Sequence, residues 1–488
     1  MLSGRRSVVQ DRALHGKMQP MEGNRSADDS ARARLTLGRV RDVDWIAILP
    51  SLRILGSVSA GLRPQRLALA FVLLLTVVAA GRVWDGFAQP TAPPEGLLAG
   101  PMREAAIVSD LESVRSVIVP ELPTAMRAAA ATATLEELEE MLVDAQDARR
   151  SEAGSAARFA SQMSMIDAAR PLLPFESLHE AVRAETYRTA AAVLQFHFGD
   201  AVRGLRVLAV EIPAASWSAA PAFTCFFALF CVLVLGCGGG VLCRLSAGDL
   251  AGYAWTLADA GAFIRPRITS LVFAPIFAGV LVGVLLLPSL LIGWLASVPL
   301  INIVAAMMMP VALVCAMLAA IVVVATLVGA GLLAPAVACD GCDAVESIQR
   351  AGAYILARPL HLAWAVLLSS VALALALLAA DIIITWSWGA SIASMDASGA
   401  VELARGAGSM RLLEPFQEGP AIVVGITDGI AAWFIDIWRT VLGVATGAVM
   451  LSVGFACATR TYLLLRASAD GQEWSDLWMD GEPTEPTP

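Results

Sequence analysis

The sequence predicts an all-α polytopic transmembrane bundle of about six spans, with a helical extracytoplasmic domain between spans one and two. Residues 268–339 contain no charged side chain, and as helix they would be far longer than one crossing of a hydrocarbon core about 30 Å thick. Apolar residues make up 57% of the chain, charged residues only 16%, and the mean hydropathy is +0.68. This balance excludes an ordinary soluble domain.

Apolar stretches bounded by charged residues define the individual spans. Four of them are residues 67–81, 219–243, 362–386 and 430–459. The charge-free run is interpreted as two further spans, joined by an interfacial hairpin from Pro288 to Pro299. Because Pro288, Pro299 and Pro310 divide the run into pieces, three spans are the alternative. The first stretch is interpreted as a signal anchor and not a cleaved signal peptide, because secretory leader regions are much shorter than the residues that precede it.

The arginines predict the orientation. With two spans in the long run, the following all fall on one side: Arg53, Arg63, Arg66, Arg244, Arg265, Arg267, Arg350, Arg358, Arg460 and Arg466. The loop 387–429 on the other side has more acidic than basic residues. The excess of positive charge in cytoplasmic loops predicts a bacterial cytoplasmic (inner) membrane protein with both termini in the cytoplasm.

The organisation along the chain follows from these spans. We expect a disordered cytoplasmic tail (1–41), an interfacial amphipathic segment (42–65), the first transmembrane helix (66–83), the extracytoplasmic helical domain (84–216), the remaining bundle (217–466) and an acidic cytoplasmic tail (467–488). In the amphipathic segment, Trp45, Ile48, Leu49, Leu52 and Leu55 recur at helical spacing, with Pro50 suited to a helix start.

Two short interfacial helices are predicted inside the bundle region, near residues 246–264 and 343–358. Each leads through a proline, Pro266 or Pro359, into the next span. In the second helix Glu346 and Arg350 stand four residues apart and are expected to pair. This arrangement is a weak internal repeat and suggests a duplicated architecture.

The domain between spans one and two contains two capping-box patterns, Thr134 with Glu137 and Ser177 with Glu180, each expected to begin a helix. After Thr134, apolar residues recur with helical period and acidic residues fill the other positions. Such a helix favours one buried and one solvated face. The acidic side chains are therefore interpreted as a solvated surface and not as paired catalytic carboxylates.

Two groups of cysteines raise the possibility of metal or redox chemistry. Cys225, Cys231, Cys237 and Cys243 recur every six residues, so on a helix only the first and last share a face, about 27 Å apart. They cannot bind one ion. Cys339 and Cys342 form a C-x-x-C motif, but no thioredoxin-like pattern surrounds it, and a zinc site would need two further ligands. Only His361 is expected nearby.

Other motifs are equally sparse. The histidines, His15, His179, His197 and His361, lie outside the span interiors, which disfavours a membrane haem. The ionisable candidates for an ion pathway are Asp381, Asp436 and Arg439, and the last two are expected to pair with each other. Glycine clusters at 236–240, 279–283 and 443–447 predict close helix contacts. No nucleotide, hydrolase or metalloprotease motif occurs. We therefore assign no catalytic, cofactor-binding or metal residues, expect no cofactor and no nucleic-acid partner, and do not expect an enzyme.

Four segments carry a resemblance to known sequences: Glu346–Leu362 (ESIQRAGAYILARPLHL), Pro174–Leu205, Gly238–Asp249 and Thr461–Trp478 (TYLLLRASADGQEWSDLW). They resemble an uncharacterised family of multi-pass bacterial membrane proteins with no assigned activity. The chain departs from the family pattern at Arg466-Ala467, where similar sequences tend to have a second basic residue, and in the N-terminal tail. The resemblance implies a membrane location and the same topology, and it implies no catalytic residues.

Three functions remain from the sequence. The first is a non-enzymatic membrane scaffold or assembly factor, in contact with the lipid bilayer and with protein partners through the outer domain or the acidic C-terminal tail. The second is a permease for a neutral or lipidic solute. The third is a membrane thiol oxidoreductase that uses Cys339 and Cys342. The missing catalytic motifs slightly favour the first.

Overall fold

The computed structural model describes residues 50–100, 104–148, 155–297, 301–398, 412–414 and 426–479. The predicted tail 1–41, the start of the amphipathic segment with Trp45, His15, most of the loop 387–429 and the last residues of the acidic tail lie outside these ranges. The described residues form helices throughout, and their only β-type pairing is an isolated bridge between Ala92 and Leu172.

The α-helices are numbered here in chain order. They are α1 (Ser57–Gly61), α2 (Pro64–Asp85), α3 (Glu104–Ile118), α4 (Thr124–Ala130), α5 (Leu135–Ala148), α6 (Ser155–Ala169), α7 (Pro174–Leu194), α8 (Phe198–Arg206), α9 (Ile212–Ala219), α10 (Pro221–Ala251), α11 (Leu257–Ile264), α12 (Ile268–Ala296), α13 (Ile301–Asp340), α14 (Ala344–Ala357), α15 (Pro359–Ala397) and α16 (Ile426–Asp470). A 3-10 helix, Pro50–Ile54, precedes α1.

Among the described residues, six helices are long and apolar enough to cross a membrane, which makes this an integral multi-pass membrane protein. The candidate spans are Pro64–Asp85, Pro221–Ala251, Leu257–Ala296, Met309–Asp340, Pro359–Ala397 and Trp433–Asp470. The charge-free run therefore holds two spans, as predicted. Its predicted interfacial hairpin from Pro288 to Pro299 is wrong, because α12 continues through Pro288 to Ala296. A proline inside a transmembrane helix is tolerated where neighbouring groups replace the lost hydrogen bond.

The helices between spans one and two form two lobes. In the distal lobe, α3 to α6 pack around their own core, which includes Ile118, Leu122, Leu138, Phe159 and Ile166. The proximal lobe consists of α7 to α9 and packs against the spans. In α5, Leu138 and Leu142 are buried while Glu136, Glu137 and Glu140 are exposed. The interpretation of the acidic face as a solvated surface is confirmed.

One of the two predicted capping boxes is present. The Thr134 N–H donates to Glu137 Oε2 (2.7 Å), and the Glu137 N–H donates to Thr134 Oγ1 (3.3 Å), just before α5. The Ser177 prediction is wrong: α7 begins at Pro174, and the Ser177 hydroxyl donates to the Pro174 carbonyl inside its first turn. Proline at the first helical position is itself a good helix start, so Pro174 and not Ser177 marks the beginning of α7.

A local pattern recurs three times along the bundle. Spans one, three and five each follow a short helix and an Arg-Pro pair, namely Arg63-Pro64, Arg265-Pro266 and Arg358-Pro359. Spans two, four and six each end near a glycine in the left-handed conformation, Gly252, Gly341 and Gly471. The predicted repeat is therefore present in three helix pairs. The short helix near 246–264 is smaller than predicted, since α10 extends to Ala251 and only Leu257–Ile264 is separate, whereas α14 matches its prediction.

The glycines of span two lie at a crossing of helices. A methyl group at Gly238 would overlap Leu73 of span one, and one at Gly239 would overlap the Phe455 ring of span six. Gly240 lies in the same way against Leu271 of span three. The predicted close contact is confirmed here. At Gly279 and Gly283 it is wrong, because no neighbouring atom of the described residues lies within 4 Å of an added methyl group.

Candidate functional site

The densest polar arrangement lies at the end of the bundle where spans one, three and five begin and spans two, four and six end. We call it the basic end. Its central acceptor is Asp340, the last residue of α13, whose side chain is 7% exposed. Arg466 donates to Asp340 Oδ1 (2.6 Å), Arg350 donates to Oδ2 (2.7 Å), and the Tyr462 hydroxyl also donates to Oδ2. These contacts tie span four to span six and to α14.

Residues just after Asp340 explain why the chain can turn here. Gly341 has φ +67°, a conformation that favours glycine, and its Cα faces the Trp478 ring so closely that a side chain would press on it. The Trp478 N–H donates to the Cys339 carbonyl (2.9 Å). Asp343 then caps α14 by accepting from the Glu346 N–H (2.8 Å). The turn therefore places Asp340 against the chain segment that follows span six.

That C-terminal segment is packed and not a free tail in its described part. Span six extends to Asp470, beyond the predicted boundary at 467. Arg466 donates to the carbonyls of Glu473 (3.0 Å) and Asp476 (2.6 Å), and the Tyr354 hydroxyl donates to Asp470 Oδ2 (2.5 Å). Burial and this hydrogen bond raise the pKa of Tyr354. The backbone of residues 470–478 thus supplies acceptors for a buried arginine.

Arg244 near the end of span two is 3% exposed. It donates to the carbonyls of Ala338 (2.9 Å) and Trp478 (2.7 Å), and its guanidinium carbon lies 4.1 Å from the ring centre of Trp255 and 3.7 Å from that of Phe263. Cation–π contacts and carbonyl acceptors stabilise a charge that has left water. Arg244 therefore joins spans two and four to the C-terminal segment.

A second arginine group surrounds the start of span one. Arg66 is 3% exposed and donates to the carbonyls of Ala60 (2.7 Å) and Leu245 (2.8 Å). Arg63 and Arg66 both form ion pairs with Asp249 of span two. Arg460 of span six donates to the Arg53 carbonyl. These bonds connect the beginning of span one to spans two and six.

Cys339 and Cys342 lie within the Asp340 network but take no part in it through their side chains. Their exposed fractions are 0% and 2%, and burial raises the pKa of the Cys342 thiol to about 12. A reactive cysteine needs an accessible thiolate. Within the C-x-x-C motif, Asp340 forms the ion pairs and Gly341 forms the turn.

The other sequence candidates do not converge. Cys225 is exposed, Cys231 and Cys237 are half-buried and Cys243 is buried, so the four are spread along span two as the helical geometry predicts. His179 stacks on Phe175, with ring centres 5.6 Å apart, and His197 and His361 are exposed elsewhere. Among the described residues, no three His, Cys, Asp or Glu side chains are grouped as metal ligands would be.

Two buried carboxylates join the proximal lobe to the spans. Asp85, at the end of span one, accepts from the N–H groups of Phe175 (2.9 Å) and Glu176 (3.0 Å) and so caps α7 from a distance. Asp381 of span five is fully buried and accepts from the Tyr187 hydroxyl (3.3 Å) and from the Leu413 N–H (2.6 Å). Burial and the nearby Asp381 raise the pKa of Tyr187 to about 12.

The predicted pair of Asp436 and Arg439 in span six is present. Their nearest charged atoms are 3.8 Å apart, and the Asp436 side chain is 59% exposed. The Arg439 side chain is 15% exposed, and a partly exposed pair with its charged atoms this far apart contributes at most about 1 kcal/mol. It has the properties of a structural ion pair at the surface.

An apolar pocket of about 490 Å³ opens where the proximal lobe meets the spans. Trp84, Phe87 and Phe223 are among its lining residues, with Pro174 at the start of α7. The Trp84 ring lies 5.2 Å from the Phe226 ring and 5.8 Å from that of Phe223. Aromatic rings at this position suit contact with lipid chains or with an apolar ligand.

Sequence reasoning identified Asp381 as a candidate but missed Asp85, Asp249 and Asp340, which make the decisive contacts. Each lies at the end of a span, where a charge is expected on topological grounds. A usable signal was present: an acid at the end of an apolar helix, followed within three residues by glycine or by a turn, occurs at Asp249, Asp340 and Asp470.

Comparisons of the chain with protein-family models, with curated proteins and with solved structures found no match. The family resemblance noted from sequence segments therefore stays a prediction.

Proposed function

We propose that this protein is a non-enzymatic scaffold or assembly factor of the bacterial cytoplasmic membrane, which presents a helical extracytoplasmic domain to protein partners. The observation that carries the proposal is the attachment of α7 to two spans through buried carboxylates, Asp85 at its N-terminus and Asp381 at Tyr187. A domain held in this way has a defined position relative to the bilayer, which is what a scaffold requires.

Burial makes these attachments strong. A carboxylate that accepts hydrogen bonds out of water loses much of its hydration, so removing its partners leaves an unsatisfied group that costs about 1–3 kcal/mol or more. Phe175 adds packing, because its ring lies against Gly81 of span one so closely that a methyl group there would overlap it. The distal lobe, with its own core, extends from this anchored base.

The orientation is part of the same proposal. The buried arginines Arg66, Arg244, Arg460 and Arg466 all lie at the basic end, and the lobes join the opposite ends of spans one and two. The positive-inside rule then places the basic end in the cytoplasm and the lobes outside.

Sidedness is tested by labelling single cysteines in a background without the eight native ones. Four exposed positions serve: Glu140→Cys in the distal lobe, and Ala254→Cys, Val345→Cys and Gln472→Cys at the basic end. We expect a membrane-impermeant maleimide to label only Glu140→Cys in intact spheroplasts and all four after lysis. Labelling of Val345→Cys or Gln472→Cys from outside would overturn the orientation.

The scaffold role is tested by photo-crosslinking from exposed domain positions in living cells. Probes at Val117 of the distal lobe and Val202 of the proximal lobe should yield a discrete crosslink to another protein, which mass spectrometry identifies. A probe at Val280, exposed on span three, is the matched control and should not yield that product. If the domain probes crosslink only lipid or nothing, the scaffold proposal fails.

The pocket near Trp84 favours the second candidate, a permease for a lipidic solute. In proteoliposomes with a fluorescent phospholipid, such a permease would expose inner-leaflet label to an external quencher within minutes. A scaffold leaves about half of the label protected. Replacing Phe87 with aspartate should abolish transport if the pocket is its entrance, since a charge there opposes entry of an acyl chain.

A further inference from the structure

Arginines from three segments meet at the basic end around a single carboxylate. Arg53 precedes α1, Arg63 and Arg66 stand at the start of span one, and Arg460 belongs to span six. The Arg460 guanidinium donates to the Arg53 carbonyl and lies against Gly56. The positive charges of Arg53 and Arg63 lie near that of Arg460, and those of Arg63 and Arg460 lie near that of Arg66.

Among the described residues, Asp249 is the acid that pairs with this group, through Arg63 and Arg66, and it neutralises one of the four charges. The acidic residues of the neighbouring C-terminal segment are engaged locally: Glu473 accepts from the Ser475 hydroxyl (3.3 Å), and Asp476 accepts from the Glu473 N–H (3.1 Å). Arg53 approaches that segment only through the Trp474 ring, 5.1 Å from its centre. The group therefore carries an excess of positive charge.

One donor of this group lacks an acceptor. Arg460 is 9% exposed, and its Nε is buried without a hydrogen-bond partner among the described residues. Leaving a charged donor unpaired is costly, and a native structure normally satisfies it with water or a bound anion. Arg53 and Arg63 are exposed beside it, so an anion can reach the group from the surface.

The surroundings are those of a membrane interface. Leu55 and Leu62, on either side of α1, are exposed, and Trp364 at the start of span five is half exposed while its indole N–H donates to Ser51 (3.2 Å). Tryptophan and arginine near the ends of spans lie at the depth of lipid headgroups. A ligand here would meet guanidinium groups and apolar side chains together.

We propose that Arg53, Arg63 and Arg460 bind the phosphate of an anionic phospholipid. Guanidinium groups bind phosphate through charge-assisted, often bidentate hydrogen bonds, and basic pockets between transmembrane helices at the cytoplasmic side are suited to anionic headgroups. The exposed leucines and Trp364 would contact the acyl chains, which a free inorganic anion lacks. Bound lipid would connect the start of span one to span six.

The test uses the full-length protein in detergent and native mass spectrometry with added dioleoyl phosphatidylglycerol. The double variant R53Q/R63Q changes only exposed arginines, and Arg66 keeps its ion pair with Asp249. We expect this variant to bind the lipid at least tenfold more weakly than the unmodified protein. R265Q is the matched control, because Arg265 is also exposed and also precedes a proline at the start of a span. Its affinity should stay within twofold.

Two further titrations identify the ligand. Dioleoyl phosphatidylcholine should bind at least tenfold more weakly than phosphatidylglycerol, and inorganic phosphate at millimolar concentration should not displace the bound lipid. Equal binding of both lipids, displacement by phosphate alone, or unchanged affinity in R53Q/R63Q would each overturn the proposal. R460Q, checked for an unchanged unfolding transition, should weaken binding in the same way as the double variant.

Discussion

The basic end of the bundle and the hairpin of spans three and four lie in the same polytopic chain but are held together by different forces. At the basic end, arginines and aspartates separated by a hundred residues or more meet in buried ion pairs, such as Arg466 with Asp340. In the hairpin, contact between α12 and α13 is made by small residues, among them Ala305, Ala312 and Ala319 at seven-residue spacing. In lipid the hydrophobic effect does not drive helices together, so hydrogen bonds, ion pairs and close packing must hold them in contact.

The difference extends to exposure. Leu290 is 67% and Met307 is 73% exposed near the far end of the hairpin, whereas Gly329 to Cys339 of span four are largely buried against the bundle. Spans three and four are thus attached mainly at the basic end. The ion pairs of the basic end can therefore hold together helices whose remaining surfaces are uniformly apolar.

Replacing Asp340 should have the largest effect on the stability of the basic end. In Asp340→Asn the buried Arg466 loses its charged partner, and breaking a buried ion pair from one side costs about 3–5 kcal/mol. We expect the free energy of unfolding, measured by SDS titration in mixed micelles, to fall by that amount. The matched control is Asp436→Asn in span six, whose longer and only partly exposed pair with Arg439 should contribute less than about 1 kcal/mol. Equal losses in the two variants would refute the special role of Asp340.

A methyl group added to a span should distinguish the bundle from the hairpin. Gly239→Ala would press on the Phe455 ring, and overpacking of this kind costs about 1–3 kcal/mol. Gly279→Ala and Gly283→Ala add a methyl group that meets no described neighbour and should leave the free energy of unfolding unchanged or raise it by up to about 1 kcal/mol, since alanine favours helix over glycine. The same SDS titration measures all three. A large loss at Gly279 would show that the hairpin face is packed.

The smallest expected effect is the alkylation of the Cys342 thiol in the folded protein, which we predict to be almost absent. With a pKa of about 12, only about one thiol in ten thousand is thiolate at pH 8, because ionisation falls tenfold for each unit below the pKa. N-ethylmaleimide should therefore leave Cys339 and Cys342 unmodified in the folded protein and react with both in SDS.

The comparison for that experiment is Val345→Cys, three residues further along and exposed. In a chain whose other cysteines are replaced, it should react within minutes under the same conditions. If Cys342 reacts at the same rate in the folded protein, the thiol oxidoreductase becomes the better hypothesis.

The sequence by itself determined the class of protein and the position of the charged side chains at span ends, and it favoured two spans over three in residues 268–339. These are local properties: a stretch of about twenty apolar residues must cross the bilayer as helix, since every backbone polar group needs a partner within the segment. For this reason the two-span interpretation of residues 268–339 agrees with the structure. The buried stripe of α5 agrees with it because helical periodicity is also a local property.

Only the tertiary structure decided which charges meet. Asp85 caps a helix ninety residues away, and Asp249 pairs with Arg63 and Arg66. In the C-x-x-C motif, the ion pairs are formed by Asp340 and not by the two cysteine side chains. It also decided that Gly239 lies at a helix crossing while Gly279 faces open space. The positions and angles at which distant helices cross determine these partners, and no local sequence pattern contains that geometry.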